Sequence, residues 1–211
     1  MTQPLAELFS SPIVPAIVID DPAVAGAVGR ALFAGGIDCA EVTMRTSGAL
    51  EAIRRMSEES DIVVGAGTVK NVRNVDEAVA AGARFAVCPG VSEGVVRRCQ
   101  ELGLPVVPGA VTASEVMQAL DLGLSQLKFF PAGTSGGSRA IAALAGPFAE
   151  VSFIPTGGVN LDNLGEYLSL PNVFAVGGTW LTPAASQAAG DFATIERLAR
   201  EAITATEGVL A

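Results

Sequence analysis

Histidine is missing altogether from this 211-residue chain. That absence removes Ser-His-Asp and Cys-His nucleophile systems, histidine general bases and every histidine-ligated metal site. Cysteine is scarce. Cys39, Cys88 and Cys99 show neither metal-ligand spacing nor an even disulfide framework, so a reduced, cytoplasmic compartment and no structural metal are expected. Charge is sparse at 17%, and 22 acidic residues against 13 basic ones leave a net charge of −9. That balance argues against nucleic acid or an anionic membrane as a partner, while leaving room for a small phosphorylated ligand at a local site. No basic stretch leads into an apolar signal segment, and no apolar run is long enough to span a bilayer. Lysine occurs only as Lys70 and Lys128.

What is abundant is apolar. Half of the residues are hydrophobic and 24 are glycine. A chain of this length fits one domain, 1–211, that buries roughly 70% of its unfolded surface. So little surface charge points to covering by wrapped layers or by subunit contacts. The pattern alternates between short β-branched runs and helical stretches. Strands are predicted at Ile13–Ile19, Cys39–Met44, Ile62–Thr68, Phe85–Pro89, Pro105–Gly109, Gln126–Ala132, Val151–Thr156 and Val173–Thr179. Helices are predicted at Pro22–Ala34, Gly48–Glu58, Val75–Ala81, Glu93–Leu102, Ala113–Leu120, Ser138–Leu144, Leu161–Leu168 and Asp191–Thr204. Eight such units predict an α/β fold, a (β/α)8 TIM barrel, ahead of a doubly wound open sheet. Residues Thr2–Phe9 are expected to form a short N-terminal helix that plugs the barrel bottom.

Barrel chemistry gathers at the C-terminal ends of the strands. Lys128 lies in Gln126-Leu-Lys-Phe-Phe-Pro-Ala132, an apolar run with the flanks of a buried strand. Lysine is among the residues least often buried, and desolvation there disfavours the ammonium and favours a nucleophilic amine. That is what a Schiff-base lysine requires. Snorkelling to the surface, or pairing with a carboxylate, is the alternative. Period-2 alternation places Glu41, Thr43 and Arg45 on one face of strand two. If that face looks inward, Arg45 can hold a carboxylate bidentately and Glu41 can shuttle protons, or the residues form a structural ion pair. Thr68 ends strand three and can bond a substrate carboxylate or hydroxyl. Gly157-Gly158 and Gly177-Gly178-Thr179 follow strands seven and eight, where backbone N–H groups can approach a phosphate closely. Arg139 and the Gly133–Gly137 stretch read as solvated loop, Lys70 as surface, and Trp180 and Leu181 as packing under strand eight. Cys88 reads as a small hydrophobe with no basic partner beside it.

The motifs Glu41-Val-Thr-Met-Arg-Thr46, Val64-Gly-Ala-Gly-Thr68, Lys128-Phe-Phe-Pro-Ala132, Ala145-Gly-Pro-Phe148, Pro155-Thr-Gly-Gly158 and Gly177-Gly-Thr-Trp-Leu181 occur in order along nearly the whole chain. Together they resemble the class I 2-keto-3-deoxy-6-phosphogluconate (KDPG) aldolases, a family that also includes 4-hydroxy-2-oxoglutarate (KHG) aldolases. The resemblance implies Lys128 as Schiff-base lysine and Glu41 as proton carrier, with Arg45 and Thr68 on the pyruvate carboxylate. It also implies Pro89 and Phe130 as pocket lining, and Thr156 as a contact to the gluconate-configured substrate. Gly157, Gly158, Gly177, Gly178 and Thr179 would form the phosphate site. The implied partners are a phosphorylated 2-keto acid and pyruvate, with no cofactor, in a cytosolic homotrimer. Two positions depart from the pattern: Cys88 stands where serine is expected, and Met44 where leucine is commoner. They bear on substrate preference. The rival readings are KHG cleavage by the same residues, a phosphate-binding barrel isomerase or synthase, and a non-catalytic trimeric scaffold.

Overall fold

A computed structural model of the protein describes residues 5–210. Eight parallel strands run in chain order: β1 (Ile13–Ile17), β2 (Cys39–Thr43), β3 (Val63–Gly67), β4 (Ala86–Val87), β5 (Val106–Val107), β6 (Gln126–Phe129), β7 (Ser152–Pro155) and β8 (Val176–Gly178). Six of them form one sheet in the order β5-β4-β3-β2-β1-β8, and β6 pairs with β7. Parallel bridges join the two sheets, Gly109 to Lys128 on one side and Phe153 to Val173 and Thr156 to Gly177 on the other. The ring is therefore closed, and the (β/α)8 barrel predicted from the sequence is the fold.

The helices are α1 (Ala25–Ala34), α2 (Ala49–Glu59), α3 (Val72–Ala80), α4 (Glu93–Glu101), α5 (Ala113–Asp121), α6 (Gly137–Leu144), α7 (Leu164–Leu168), α8 (Ala184–Ala189) and α9 (Phe192–Leu210). Their apolar stripes pack on the outward faces of the strands, burying Val28, Leu32, Ile53, Met56, Val96 and Ile195 in the main core. A second apolar cluster fills the lumen, from Val14, Cys39, Phe85, Val87, Val107, Ile154 and Ala175. These positions alternate along each strand with outward ones, as a barrel requires.

The N-terminal segment closes the bottom of the lumen. Of the predicted helix Thr2–Phe9, residues 2–4 lie outside the described part, and Leu5–Glu7 form a single 3-10 turn. Leu5 and Phe9 pack with the lumen cluster, Phe9 with its ring 5.8 Å from that of Phe85. Asp38, just before β2, anchors this segment: its carboxylate accepts hydrogen bonds from Ser10 N–H and Ser10 Oγ (2.7 Å each) and from Ser11 N–H (3.0 Å). Partial burial pushes the Asp38 carboxyl up, but these hydrogen bonds outweigh it and hold it below its ordinary value. A carboxyl lowered on folding contributes stability that is present above its unfolded pKa and lost as pH falls through the folded one. Asp38→Ala is expected to cost about 1–2 kcal/mol at pH 7, a solvent-discounted value for bonds to a charged group. Urea unfolding at pH 7 and below pH 4 checks this, with the gap to wild type narrowing in acid.

Candidate active site

The strand alternation brings Glu41 from β2 and Lys128 from β6 into the lumen, where their side chains are 4% and 6% exposed. Lys128 Nζ donates to Glu41 Oε1 at 2.7 Å. Of the alternatives left open for Lys128 in the sequence, snorkelling is excluded by its burial, and pairing with a carboxylate is what the structure shows, the partner being Glu41. Glu41 and Lys128 line a cavity together with Val14, Val87, Val107, Ile154 and Thr156. Charged groups desolvated in such surroundings are stable only as a pair. Lys128 Nζ also stands 5.3 Å from the centroid of the half-buried Phe130 ring, within cation–π range.

Arg45 is placed differently from the expectation. β2 ends at Thr43, and the chain leaves the sheet in a tight turn in which Arg45 N–H donates to Thr43 O at 2.8 Å. The alternation that joins Glu41 to Thr43 is broken there, so Arg45 stands exposed on the rim and not on the inner face of β2. It still reaches across to β3, donating from Nε to Thr68 Oγ1 at 3.0 Å. Thr68 itself has φ 61°, the single positive-φ residue other than glycine among the described residues. A β-branched residue in the left-handed region stores about 1–3 kcal/mol of strain, which marks functional sites more often than ordinary turns.

At the other side of the mouth, Thr156 is buried and bridges β8, and its backbone continues the sheet through Phe129 O and Ala132 N–H. Gly157 and Gly158 follow with φ 91° and 85°, a conformation only glycine adopts freely. Their carbonyls are tied back, Gly157 O accepting from Gly133 N–H and Gly158 O from Asn163 Nδ2, each at 2.9 Å. Among the described residues no protein acceptor pairs with the N–H of Gly157, Gly158 or Thr179. Successive N–H groups left free in a turn, like those of Gly157 and Gly158, can bind an anion. Gly177 and Gly178 sit within β8, paired with Val14 and Pro15 of β1. A Cβ at Gly177 would lie 2.4 Å from Thr156 Oγ1, so packing alone demands glycine there. Thr179 and Pro89 are exposed at the rim.

The remaining candidates separate cleanly. Burial pushes all three thiols up: Cys88 and Cys39 strongly, and Cys99 to about 12. None is a thiolate nucleophile near neutral pH. Lys70 and Arg139 are exposed. The stretch read as solvated loop is instead a 3-10 turn, Gly133–Ser135, running into α6 at Gly137. Leu181 is fully buried as expected, whereas Trp180 is only half-buried and lies against Gly178. Among the described residues no group of three or more His, Cys, Asp or Glu side chains is placed to hold a metal ion. No helix there is long and apolar enough to cross a membrane.

Sequence reading missed α8, between β8 and α9. Pro183 before a run of alanines and Gly190 (φ 66°) after it were the available signals. Gln187 of α8 is buried and donates to Thr182 O (2.9 Å) and Val18 O (3.2 Å), tying the chain after β8 to the end of β1.

A family model described as "Aldolase: KDPG and KHG aldolase" matches residues 6–198. The chain is 46% identical over 197 residues to a 2-dehydro-3-deoxy-phosphogluconate aldolase of Dickeya dadantii, covering 93% of this chain and 92% of that one. It is 45% identical, with the same coverage, to a KHG/KDPG aldolase of Escherichia coli. A crystal structure of KDPG aldolase from Legionella pneumophila, with pyruvate captured at low pH as a covalent carbinolamine intermediate, superposes with a TM-score of 0.91. Its identity is 40%, over 96% of this chain and 98% of that one.

Proposed function

Because the chain belongs to the KDPG and KHG aldolase family, we propose that it cleaves 2-keto-3-deoxy-6-phosphogluconate reversibly to pyruvate and glyceraldehyde 3-phosphate, as a Schiff-base lyase. The observation that carries this reading is the buried Lys128–Glu41 pair, 2.7 Å apart at the mouth of a closed barrel. The pair holds one proton between an amine and a carboxylate. When Glu41 takes that proton, the Lys128 amine is free to attack the C2 ketone of the substrate. Attack gives a carbinolamine, and Glu41 returns its proton to the carbinolamine hydroxyl, which leaves as water; the protonated imine that results is the electron sink and Glu41 is again a carboxylate. Glu41, directly or through a water, accepts the proton of the C4 hydroxyl, and the C3–C4 bond breaks. The electron pair of that bond moves into the enamine left on Lys128, and the aldehyde departs. Protonation at C3 and hydrolysis then release pyruvate.

The rim supplies the binding groups. Arg45 and Thr68 are already joined by a hydrogen bond and face a place for the 2-keto acid carboxylate. Thr68→Gly is expected to be as stable as wild type or up to about 1 kcal/mol better, because relief of strain outweighs added chain entropy. It should nevertheless raise KM about tenfold, the effect of losing one bond worth about 1.4 kcal/mol. Urea unfolding beside steady-state kinetics checks both halves. Phe130, beside Lys128, and Pro89, at the rim, would flank the bound substrate, and Thr156, in the cavity lining, would face its hydroxylated part. The free N–H groups of Gly157, Gly158 and Thr179, supported by the Gly177-Gly178 strand end, take the phosphate.

One fold of residues 1–211 and a cytoplasmic homotrimer complete the proposal. Exposed apolar side chains such as Phe33 (47%) and Met117 (57%) are consistent with surface that a second copy covers. A second reading, cleavage of 4-hydroxy-2-oxoglutarate to pyruvate and glyoxylate, uses the same lysine and glutamate and draws support from the dual name of the Escherichia coli relative. Comparison of kcat/KM on the two substrates decides between them. The phosphate site predicts a preference of at least about tenfold for the phosphorylated acid, and equal values would favour the second reading.

A further inference from the structure

Strand β3 presents no side chain to the lumen at two successive inward positions. A Cβ at Gly65 would fall 2.3 Å from the Phe85 ring, which fills the lower level. A Cβ at Gly67, one level up, would fall 3.2 Å from Glu41 Cδ, 3.2 Å from Thr43 Cγ2 and 3.4 Å from Glu41 Cγ. Gly67 is not among the positive-φ glycines, so backbone conformation does not call for glycine there. The outward neighbour Ala66 is fully buried in the main core, so β3 cannot slide outward to relieve a larger residue. Glu41 therefore leans its carboxyl on bare backbone while that carboxyl accepts from Lys128.

We propose that Gly67 is a positioning residue of the aldol reaction: the space left by its missing Cβ fixes where the Glu41 carboxyl stands relative to the Lys128 nitrogen. The proposal rests on the reading of Glu41 as proton carrier. A methyl group at 3.2 Å is inside ordinary van der Waals contact, so the carboxyl must give way by a few tenths of an ångström. Proton transfer is sensitive to such a shift, because the donor and acceptor must approach to about 2.6–3.2 Å, and misplacement by about 1 Å can cost 10²-fold. Imine formation depends on the Lys128 amine at the end of a flexible stem and is less sensitive. The two steps are thus separable by a substitution that replaces neither residue.

The test is Gly67→Ala in the full chain, read out with pyruvate in two ways. The first is the borohydride-trapped pyruvyl adduct, which reports the imine. The second is exchange of the pyruvate methyl protons in deuterated water, which reports proton transfer at C3. Adduct yield at saturating pyruvate is expected to stay at the wild-type level, while exchange and retro-aldol kcat fall about 10- to 100-fold and KM changes less than about threefold. Exchange within twofold of wild type would overturn the proposal. Should Gly67→Ala not fold, Thr43→Ser provides a permissive background, since it removes the Cγ2 atom facing the new methyl and keeps the hydroxyl that bonds Ile17 O. There the added alanine is expected to slow exchange at least fivefold relative to Thr43→Ser alone, and equal rates would overturn the proposal. Glu41→Gln separates this from the reading beneath it. Unimpaired exchange in Glu41→Gln would remove the proton-carrier reading itself, whereas slow exchange there with fast exchange in Gly67→Ala would remove only the role of Gly67.

Discussion

Replacing Lys128 by methionine is expected to lower retro-aldol turnover by about 10⁴-fold or more, with no trapped adduct, because no other residue can form the imine. The second lysine, Lys70, is exposed past β3 and does not line the lumen cavity. Methionine keeps most of the stem volume but strands the Glu41 carboxylate, which among the described residues has Lys128 as its one side-chain hydrogen-bond partner. Removing one member of a buried ion pair costs about 3–5 kcal/mol. That is a large share of the roughly 5–15 kcal/mol stability of a typical domain, so the variant should be folded yet clearly less stable. Steady-state assay and thermal unfolding of one preparation test the two effects together. Retention of more than about 1% of wild-type kcat would contradict the role assigned to Lys128.

Glu41→Gln should separate binding from proton transfer. Glutamine matches the shape of glutamate and can still accept a hydrogen bond from Lys128 Nζ, but it cannot carry the C4 hydroxyl proton. Loss of a general base is worth about 10²–10⁴-fold, and kcat is expected to fall within that range. The pyruvyl adduct should still form, more slowly, since Lys128 must then lose its proton to solvent. A kcat within about tenfold of wild type would mean that another group moves the proton. The buried thiols are no substitute, as burial holds them protonated.

The number of strands and their order were legible because each unit repeats a β-branched run and a helical stretch. The ends were less so, for reasons visible in the residues. β5 shrinks to Val106–Val107 because Pro105 and Pro108 flank it and lack the N–H a ladder needs. The turn after Thr43 ends β2 early and carries Arg45 to the rim. The predicted start of α7 at Leu161 moves to Leu164, because the Asn160 and Asn163 side chains bond nearby backbone N–H groups and hold a turn. In contrast α3 begins three residues earlier than its apolar pattern, capped by Asn71, whose side chain accepts from Asn74 N–H. The last helix runs past Thr204 to Leu210 despite threonine and glycine, since Val209 packs on α7. Tertiary contact overrides weak local propensity there.

The site was legible as a set of residue types and less so as a geometry. Lys128 and Glu41 are 87 positions apart. Only closure of the ring makes them partners, and no local pattern encodes a 2.7 Å contact between β2 and β6. Glycines carried two meanings that the sequence does not distinguish. Gly157 and Gly158 are needed for positive φ and exposed N–H groups, whereas Gly65 and Gly177 are needed because a Cβ would collide with Phe85 or Thr156, and a Cβ at Gly67 would crowd Glu41. The spacing of Gly65 and Gly67 by two was a signal for the second meaning, since it places both on the inner face of one strand.

The imine is tested most directly by borohydride reduction of the wild-type protein in the presence of pyruvate, followed by intact mass and peptide mapping. One reduced pyruvyl adduct per chain is expected, located on Lys128 and absent from Lys70. An unmodified Lys128 under conditions in which the protein cleaves its substrate would contradict the imine mechanism.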